Sequence, residues 1–191
     1  MARPDILLAA LVGLVAASPV MLAVAVIVRC ALGSPVMFRQ ERAGKRGRPF
    51  TMVKFRTMTN ARDAEGRLLP DRERTPATGR FLRRTRLDEL PELWSIARGE
   101  MAFIGPRPLL PETIVGAGSR GRLRGLVLPG LTGWAQVNGN ASLTNDEKIE
   151  LDLWYIRNRS LALDLRIFAK TVAVVVRGER KALAVTKDGE P

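Results

Sequence analysis

Apolar and polar positions divide the chain into a long greasy start and a patchwork of short elements. Ile6 to Val28 is a 23-residue run without a charged residue, long enough as a helix to cross a bilayer. Ser18-Pro19 falls near its middle. Proline removes a backbone donor and clashes with the preceding turn, so a break is predicted there, with the serine hydroxyl free to satisfy a carbonyl that loses its partner. A spanning helix and a re-entrant one that returns to its own face both fit these residues. A cleaved secretory leader fits poorly: the basic n-region stops at Arg3, and Pro19 would follow a cut after Ala17 or Ser18.

Beyond Gly33 the periods shorten. Val36–Phe38 and Phe50–Phe55 are β-prone runs around the turn chemistry of Gly44–Pro49, which predicts a hairpin. Residues 60–78 are polar, turn-rich and without a sustained period, the pattern of a loop, and residues 79–87 form a basic amphipathic segment. Leu87, Leu90, Leu93, Trp94 and Ala97 recur at helical spacing, with Gly99 as a stop signal. Met101–Ile104 reads as a short strand or turn, and Gly105–Pro108 as a stiff loop. Residues 127–139 cluster three glycines and a proline, either as structural turns or to bring backbone donors near a ligand. Residues 145–177 read as two helices, the first capped by Thr144 or Asn145 with Asp146 and Glu147 in its first turn. The second, over Leu163–Val176, is too short to span and is predicted to pack in the core or lie in a membrane interface. Residues 178–191 read as a tail.

Charge sharpens this picture. The net +12 is concentrated in residues 29–86, which carry 16 Lys/Arg against 5 Asp/Glu, so the chain looks for anions: nucleic acid, lipid headgroups or phosphorylated substrates. The chain has no histidine, which excludes Ser-His-Asp and Cys-His catalysis and the usual zinc sites. Acid–base work falls to carboxylates, lysine or tyrosine, and any metal would be a hard cation such as magnesium held with phosphates. The single cysteine, Cys30, excludes an internal disulfide.

Arg83-Arg-Thr-Arg-Leu-Asp-Glu-Leu-Pro-Glu-Leu-Trp94 concentrates the candidate chemistry. Three arginines run into the adjacent acids Asp88 and Glu89. The stretch is either an ordinary helix start with surface arginines, or a carboxylate nucleophile beside an acid/base carboxylate in a basic cup for phosphate. Arg39, Arg42, Lys54 and Arg56 on the hairpin lie within reach of headgroups or a substrate phosphate, and Pro106 and Pro108 stiffen the loop that carries Arg107.

In this order and spacing, Ser18-Pro19, Phe38–Gly44, Lys54–Met58, Leu87–Pro91, Gly105–Pro108 and Pro129–Gly139 resemble the monotopic phosphoglycosyl transferases, or bacterial sugar transferases, over nearly the whole chain. The resemblance implies an α/β fold in a loose sense: mainly helical with few short strands. It comprises a re-entrant membrane helix over 1–32 broken at Ser18-Pro19, a cytosolic and interfacial catalytic domain over 33–177 with amphipathic helices, and the tail 178–191. It implies a ping-pong transfer of phosphosugar from a UDP-sugar to undecaprenyl phosphate, with release of UMP. Asp88 would be the nucleophile and a ligand of Mg2+, and Glu89 the acid/base or orienting group. Arg83, Arg107, Pro106, Pro108, Lys54, Arg56 and Gln136 would form the substrate and phosphate site. The small size resembles the minimal class, which favours an N-acetylated amino sugar. The expected place is the bacterial inner membrane, with the catalytic domain on the cytoplasmic face; a homodimer is compatible with the sequence.

Two positions depart from the family pattern. Leu128 and Asn140 stand where arginine is usual, with Arg122 and Arg124 nearby as substitutes. The alternatives are a catalytically inactive relative acting as a membrane partner, and a membrane-anchored basic binding protein. Few aromatics accompany the arginines and no nucleic-acid motif is visible, so nucleic acid is not an expected partner.

Overall fold

A computed structural model of the chain describes residues 4–177; the predicted tail lies outside the described residues. Helix α1 (Pro4–Leu32) leads into an antiparallel hairpin of β1 (Met37–Ala43) and β2 (Pro49–Phe55), closed by a 3-10 turn at Lys45–Gly47. Short helices α2 (Asp71–Arg74) and α3 (Ala77–Thr85) precede a 3-10 segment at Leu87–Glu92 that runs into α4 (Leu93–Ala97). Then follow β3 (Ala102–Ile104), α5 (Pro111–Gly116), α6 (Gly118–Arg124), β4 (Gly130–Thr132), α7 (Trp134–Val137), α8 (Asn145–Asn158) and α9 (Leu161–Arg177). The fold is mostly helical, with few short strands, as expected.

The predicted break in α1 is not an interruption: helix continues through Pro19. The local repair explains why. Pro19 cannot donate to the carbonyl four residues back, that of Val15, and Ser18 Oγ donates to it instead at 2.7 Å. α1 is also the one helix among the described residues long and apolar enough to cross a membrane. Both of its halves nevertheless pack on the rest of the protein. Ala10, with Ile6, Leu14 and Ala17, meets Phe50, Met52, Leu93, Ile96 and Met101, while Val24 and Val28 meet Phe55 and Leu82. Its other face, including Leu8, Val12, Val15, Leu22 and Val26, is exposed.

The hairpin forms where predicted. Residues 60–78 are more ordered than a loop: an isolated bridge joins Arg62 and Leu68, α2 follows, and α3 begins at Ala77. The acidic stretch is 3-10 at its start, because Arg86 adopts a left-handed φ of 57° that ends α3 and Pro91 lies within the next turn. Residues 127–139 hold an unforeseen strand. β4 pairs in parallel with β3, Ala102 opposite Gly130 and Ile104 opposite Thr132. Helices α5 and α6 carry no clear sequence pattern. Thr144 caps α8 through a full capping box with Glu147. α7, α8 and α9 share a hydrophobic cluster in which Trp134 stacks on Trp154 at 5.0 Å.

The parallel pair depends on a missing side chain. A Cβ on Gly130 would lie 2.1 Å from the Gly105 nitrogen, a contact that only backbone displacement could relieve. Gly130→Ala is expected to cost about 3 kcal/mol and lower the melting temperature by roughly 6–12 °C. Gly116→Ala, where a Cβ meets nothing within 4 Å, is expected to leave stability unchanged or slightly raised. Thermal unfolding of both variants in detergent checks this, and equal melting temperatures would refute the packing argument.

Candidate active site

Strand alternation builds one wall of the site. Phe38, Gln40 and Arg42 of β1 and Met52 and Lys54 of β2 share the hairpin face that lines a cleft of about 1020 Å³. Arg39, one residue out of phase, does not line it. The opposite wall comes from α3 and the 3-10 segment, with Arg83, Arg84, Arg86, Asp88 and Glu89. α3 can lie on the hairpin's continuation because Gly79 has no side chain: a Cβ there would sit 2.0 Å from the Thr57 carbonyl oxygen. That approach brings Arg83 Nε within 2.9 Å of Thr57 Oγ1, to which it donates. Arg107, Asn140 and Ala141 line the cleft from two further loops.

The two adjacent acids sit in opposite electrostatic settings. Asp88 is buried and its Oδ1 has no hydrogen-bond partner. Burial raises its carboxyl from 3.8 to about 6, helped by the charge of Glu89 and opposed by Lys54 and Arg83. Burial pushes Glu89 up as well, but Arg107, Lys54 and Arg86 overcome it and hold that carboxylate well below its ordinary range. The distances show how: Lys54 Nζ lies 2.8 Å from Glu89 Oε1, Arg86 Nη1 3.2 Å from Oε2, and Arg107 Nη2 3.4 Å from Oε1. Glu89 is therefore a saturated anion, and Asp88 is the acid with an uncommitted oxygen.

Glu92, unforeseen from the sequence, does not line the cleft but shares the Lys54 cation with Glu89. It is only 2% exposed, and its Oε1 is 3.0 Å from Lys54 Nζ, an ion-pair contact without hydrogen-bond alignment. Burial pushes its carboxyl up; Lys54 opposes this, and the charge of Glu89 adds to it. An acid inside the otherwise apolar Leu90–Leu93 stretch was the available signal, since such a group needs a buried partner.

The other predicted residues divide. Arg56 lines the cleft, but its Nη1 donates to the Ser34 carbonyl at 3.0 Å and its Nη2 to that of Leu32, so it also closes the end of α1. Pro106 and Pro108 are buried in the loop behind Arg107 and do not line the cleft. Gln136 does not line it either: it is buried on α7, and its Nε2 donates to the Leu131 carbonyl at 2.9 Å. Of the two suggested substitutes for a missing arginine, Arg122 is exposed and off the cleft, and Arg124 is buried in an ion pair with Asp152. Ser18 and Pro19 lie within α1, away from the cleft.

The description "Bacterial sugar transferase" belongs to a family whose profile matches residues 3–178. The chain belongs to that family. It is 44% identical to the uncharacterized sugar transferase EpsL of Bacillus subtilis strain 168, over 91% of this chain and 86% of that protein. It is 39% identical to the UDP-N-acetylgalactosamine-undecaprenyl-phosphate N-acetylgalactosaminephosphotransferase of Aeromonas hydrophila, over 90% of this chain and 43% of that protein. It is also 39% identical to the UDP-glucose:undecaprenyl-phosphate glucose-1-phosphate transferase of Xanthomonas campestris pv. campestris, over 91% and 38%. The chain thus matches less than half the length of the latter two.

The donor set around Asp88 suits a hard cation that keeps some of its ligands from elsewhere. Among the described residues no three acidic, histidine or cysteine side chains form a metal cluster; Asp88, with its unpartnered oxygen, is the carboxylate that would hold such a cation.

Asp88 destabilises the neutral fold. The unfolded chain holds this carboxyl near 3.8 and the folded protein near 6, so the native state binds the extra proton between those values and stability falls as pH rises through them. Above about pH 6 the full cost of about 3 kcal/mol is present. In metal-free protein, Asp88→Asn is expected to raise the melting temperature by several degrees at about pH 8 and by much less at about pH 4.5. A gain that does not change with pH would show that burial does not set this carboxyl's titration.

Proposed function

We propose that the chain transfers the phosphosugar of a UDP-sugar to undecaprenyl phosphate in two steps through Asp88, releasing UMP. The observation that carries this reading is the buried carboxylate with an uncommitted oxygen, set beside a neighbour held by three cations in a basic cleft. The names of the Aeromonas and Xanthomonas relatives supply the substrate pair.

In the first step an Asp88 oxygen attacks the sugar-bearing β-phosphorus. The bond from that phosphorus to the bridging oxygen breaks, and UMP departs with the bridging oxygen. In the second, an oxygen of undecaprenyl phosphate attacks the same phosphorus, and the Asp88 carboxylate leaves, which restores the protein and completes a diphosphate-linked lipid sugar. A carboxylate that titrates near 6 is largely ionised at neutral pH and needs no separate base. Glu89, kept ionised by its cations, orients Lys54 and Arg107 and is a poor proton donor. Arg83, steadied by Thr57, and Arg107 face the charge that develops on the phosphoryl oxygens. Mg2+ held by Asp88 and the diphosphate would supply further charge neutralisation.

The packing of α1 supports a monotopic attachment. A helix of 29 residues is about 43 Å long, and both its halves touch the catalytic body. In a straight crossing about 30 Å of that length would lie inside the hydrocarbon layer, and contacts along both halves would draw the catalytic body into lipid, which its polar surface disfavours. The exposed stripe Leu161, Leu165, Phe168, Val172 and Val176 of α9 suits the same interface. We place the catalytic body on the cytoplasmic face of the inner membrane, where the basic block meets anionic headgroups and soluble nucleotides arrive. An N-acetylated amino sugar is the proposed cargo, by analogy with the Aeromonas relative.

UMP release from a panel of UDP-sugars, with undecaprenyl phosphate and magnesium, tests the reaction and identifies the sugar. Wild type is expected to release UMP from an N-acetylamino sugar donor, and Asp88→Asn to lose at least about a thousandfold in kcat while remaining folded and membrane-bound. Undiminished release by Asp88→Asn would sink the nucleophile assignment. Silence across the panel would favour the inactive-partner reading.

A further inference from the structure

The loop that carries Arg107 cannot be anchored through its proline nitrogens, because Pro106 and Pro108 have no N–H. Its carbonyls anchor it. Pro106 O accepts from Gly130 N at 2.9 Å, Leu109 O accepts from Ala43 N at 3.0 Å, and Arg107 O accepts from the Arg124 guanidinium. The first two donors are backbone groups from either side of the loop. The third is a side chain, and it holds the carbonyl of the very residue whose guanidinium reaches Glu89.

Arg124, the last residue of α6, is itself fixed. Its Nε donates to Asp152 Oδ2 of α8 at 2.7 Å, and the pair is almost wholly buried, with Asp152 at 0% exposure. Either charge alone at that depth would be strongly unfavourable, so the two orient each other. The planar fork lets one guanidinium hold Asp152 through Nε and the Arg107 carbonyl through Nη2, a geometry that a lysine ammonium cannot reproduce. Neither Arg124 nor Asp152 lines the cleft, so neither is placed to touch substrate.

We propose that Arg124, clamped by Asp152, is a positioning residue for the transfer: it fixes the backbone of Arg107 so that the Arg107 guanidinium is presented to Glu89 and to the donor's diphosphate. Arg124 therefore does not replace the arginine missing at Leu128 as a phosphate contact. It acts one layer behind, through Arg107. The inference rests on the transfer reading above.

The test uses the full chain in detergent or nanodiscs, with each variant checked for folding by thermal melting. Donor KM and kcat for UMP release, and UDP binding by calorimetry, are measured for wild type, Arg124→Lys, Arg107→Gln and the double variant. Each single change is expected to raise donor KM and weaken UDP binding about tenfold, and the double variant to be no more than about twofold worse than the weaker single. Effects that multiply to roughly a hundredfold, or an Arg124→Lys protein with wild-type KM, would overturn the positioning role. If Arg124→Lys does not fold, Asp152→Asn replaces it in the same cycle with the same expected outcomes. A wild type that neither releases UMP nor binds UDP would overturn the transfer reading together with this inference. An active wild type with independent variants would overturn this inference alone.

Discussion

Lys54 Nζ stands 2.8 Å from Glu89 Oε1 and 3.0 Å from Glu92 Oε1, and the cleft depends on that shared cation. Two carboxylates in one buried turn repel each other and lose hydration, so the 3-10 segment could not sit against β2 without a positive charge between them. With Lys54 in place, the segment docks on the hairpin, Arg86 and Arg107 complete the shell around Glu89, and Asp88 is left facing the cleft with one oxygen unengaged. The chemistry and the packing are one arrangement. A protein optimised for stability alone would not bury Asp88 as it stands.

The same turn ties the cleft to α1. Leu93 and Ile96 of α4 pack on Ala10 and its neighbours, while Leu82 of α3 and Phe55 of β2 pack on Val24 and Val28. Arg56 reaches from the cleft wall to the carbonyls at the end of α1. α1 is thus a core element along one face and an exposed apolar surface along the other. Its apolar surface is divided between a packed face and an exposed one, and the Ser18 hydroxyl spares it the carbonyl that Pro19 would otherwise orphan.

Behind the cleft, prolines and glycines exchange side-chain interactions for backbone ones. Gly105 and Gly130 let β3 and β4 approach, and their pairing sets the loop that carries Arg107. Because that loop is poor in donors, its orientation is decided by the groups that reach its carbonyls, the Arg124 guanidinium among them. The departure at Leu128 is met in this setting: a cation near it, Arg124, serves the scaffold while Arg107 faces the cleft.

Local patterns were legible in the sequence wherever local physics decides. The apolar length of α1, the hairpin and its turn, the Thr144 cap, the basic helix before the acid pair and the identity of that pair all follow from periodicity, backbone chemistry and charge within a few residues. What only the tertiary structure decided involves partners far apart in the chain. The parallel strand at Gly130–Thr132 exists because Ala102–Ile104 lies beside it. Glu92 came to share the cleft's lysine because Lys54 meets it, and Arg124 turned inward because Asp152 is there to pair with it. Gln136 had suitable chemistry for the cleft but was drawn to a backbone carbonyl instead, while Arg56 lines the cleft and also holds the carbonyls at the end of α1. A side chain's type limits what it can bind, whereas burial and the nearest opposite charge choose among those options, and neither is written in the residue's own neighbourhood.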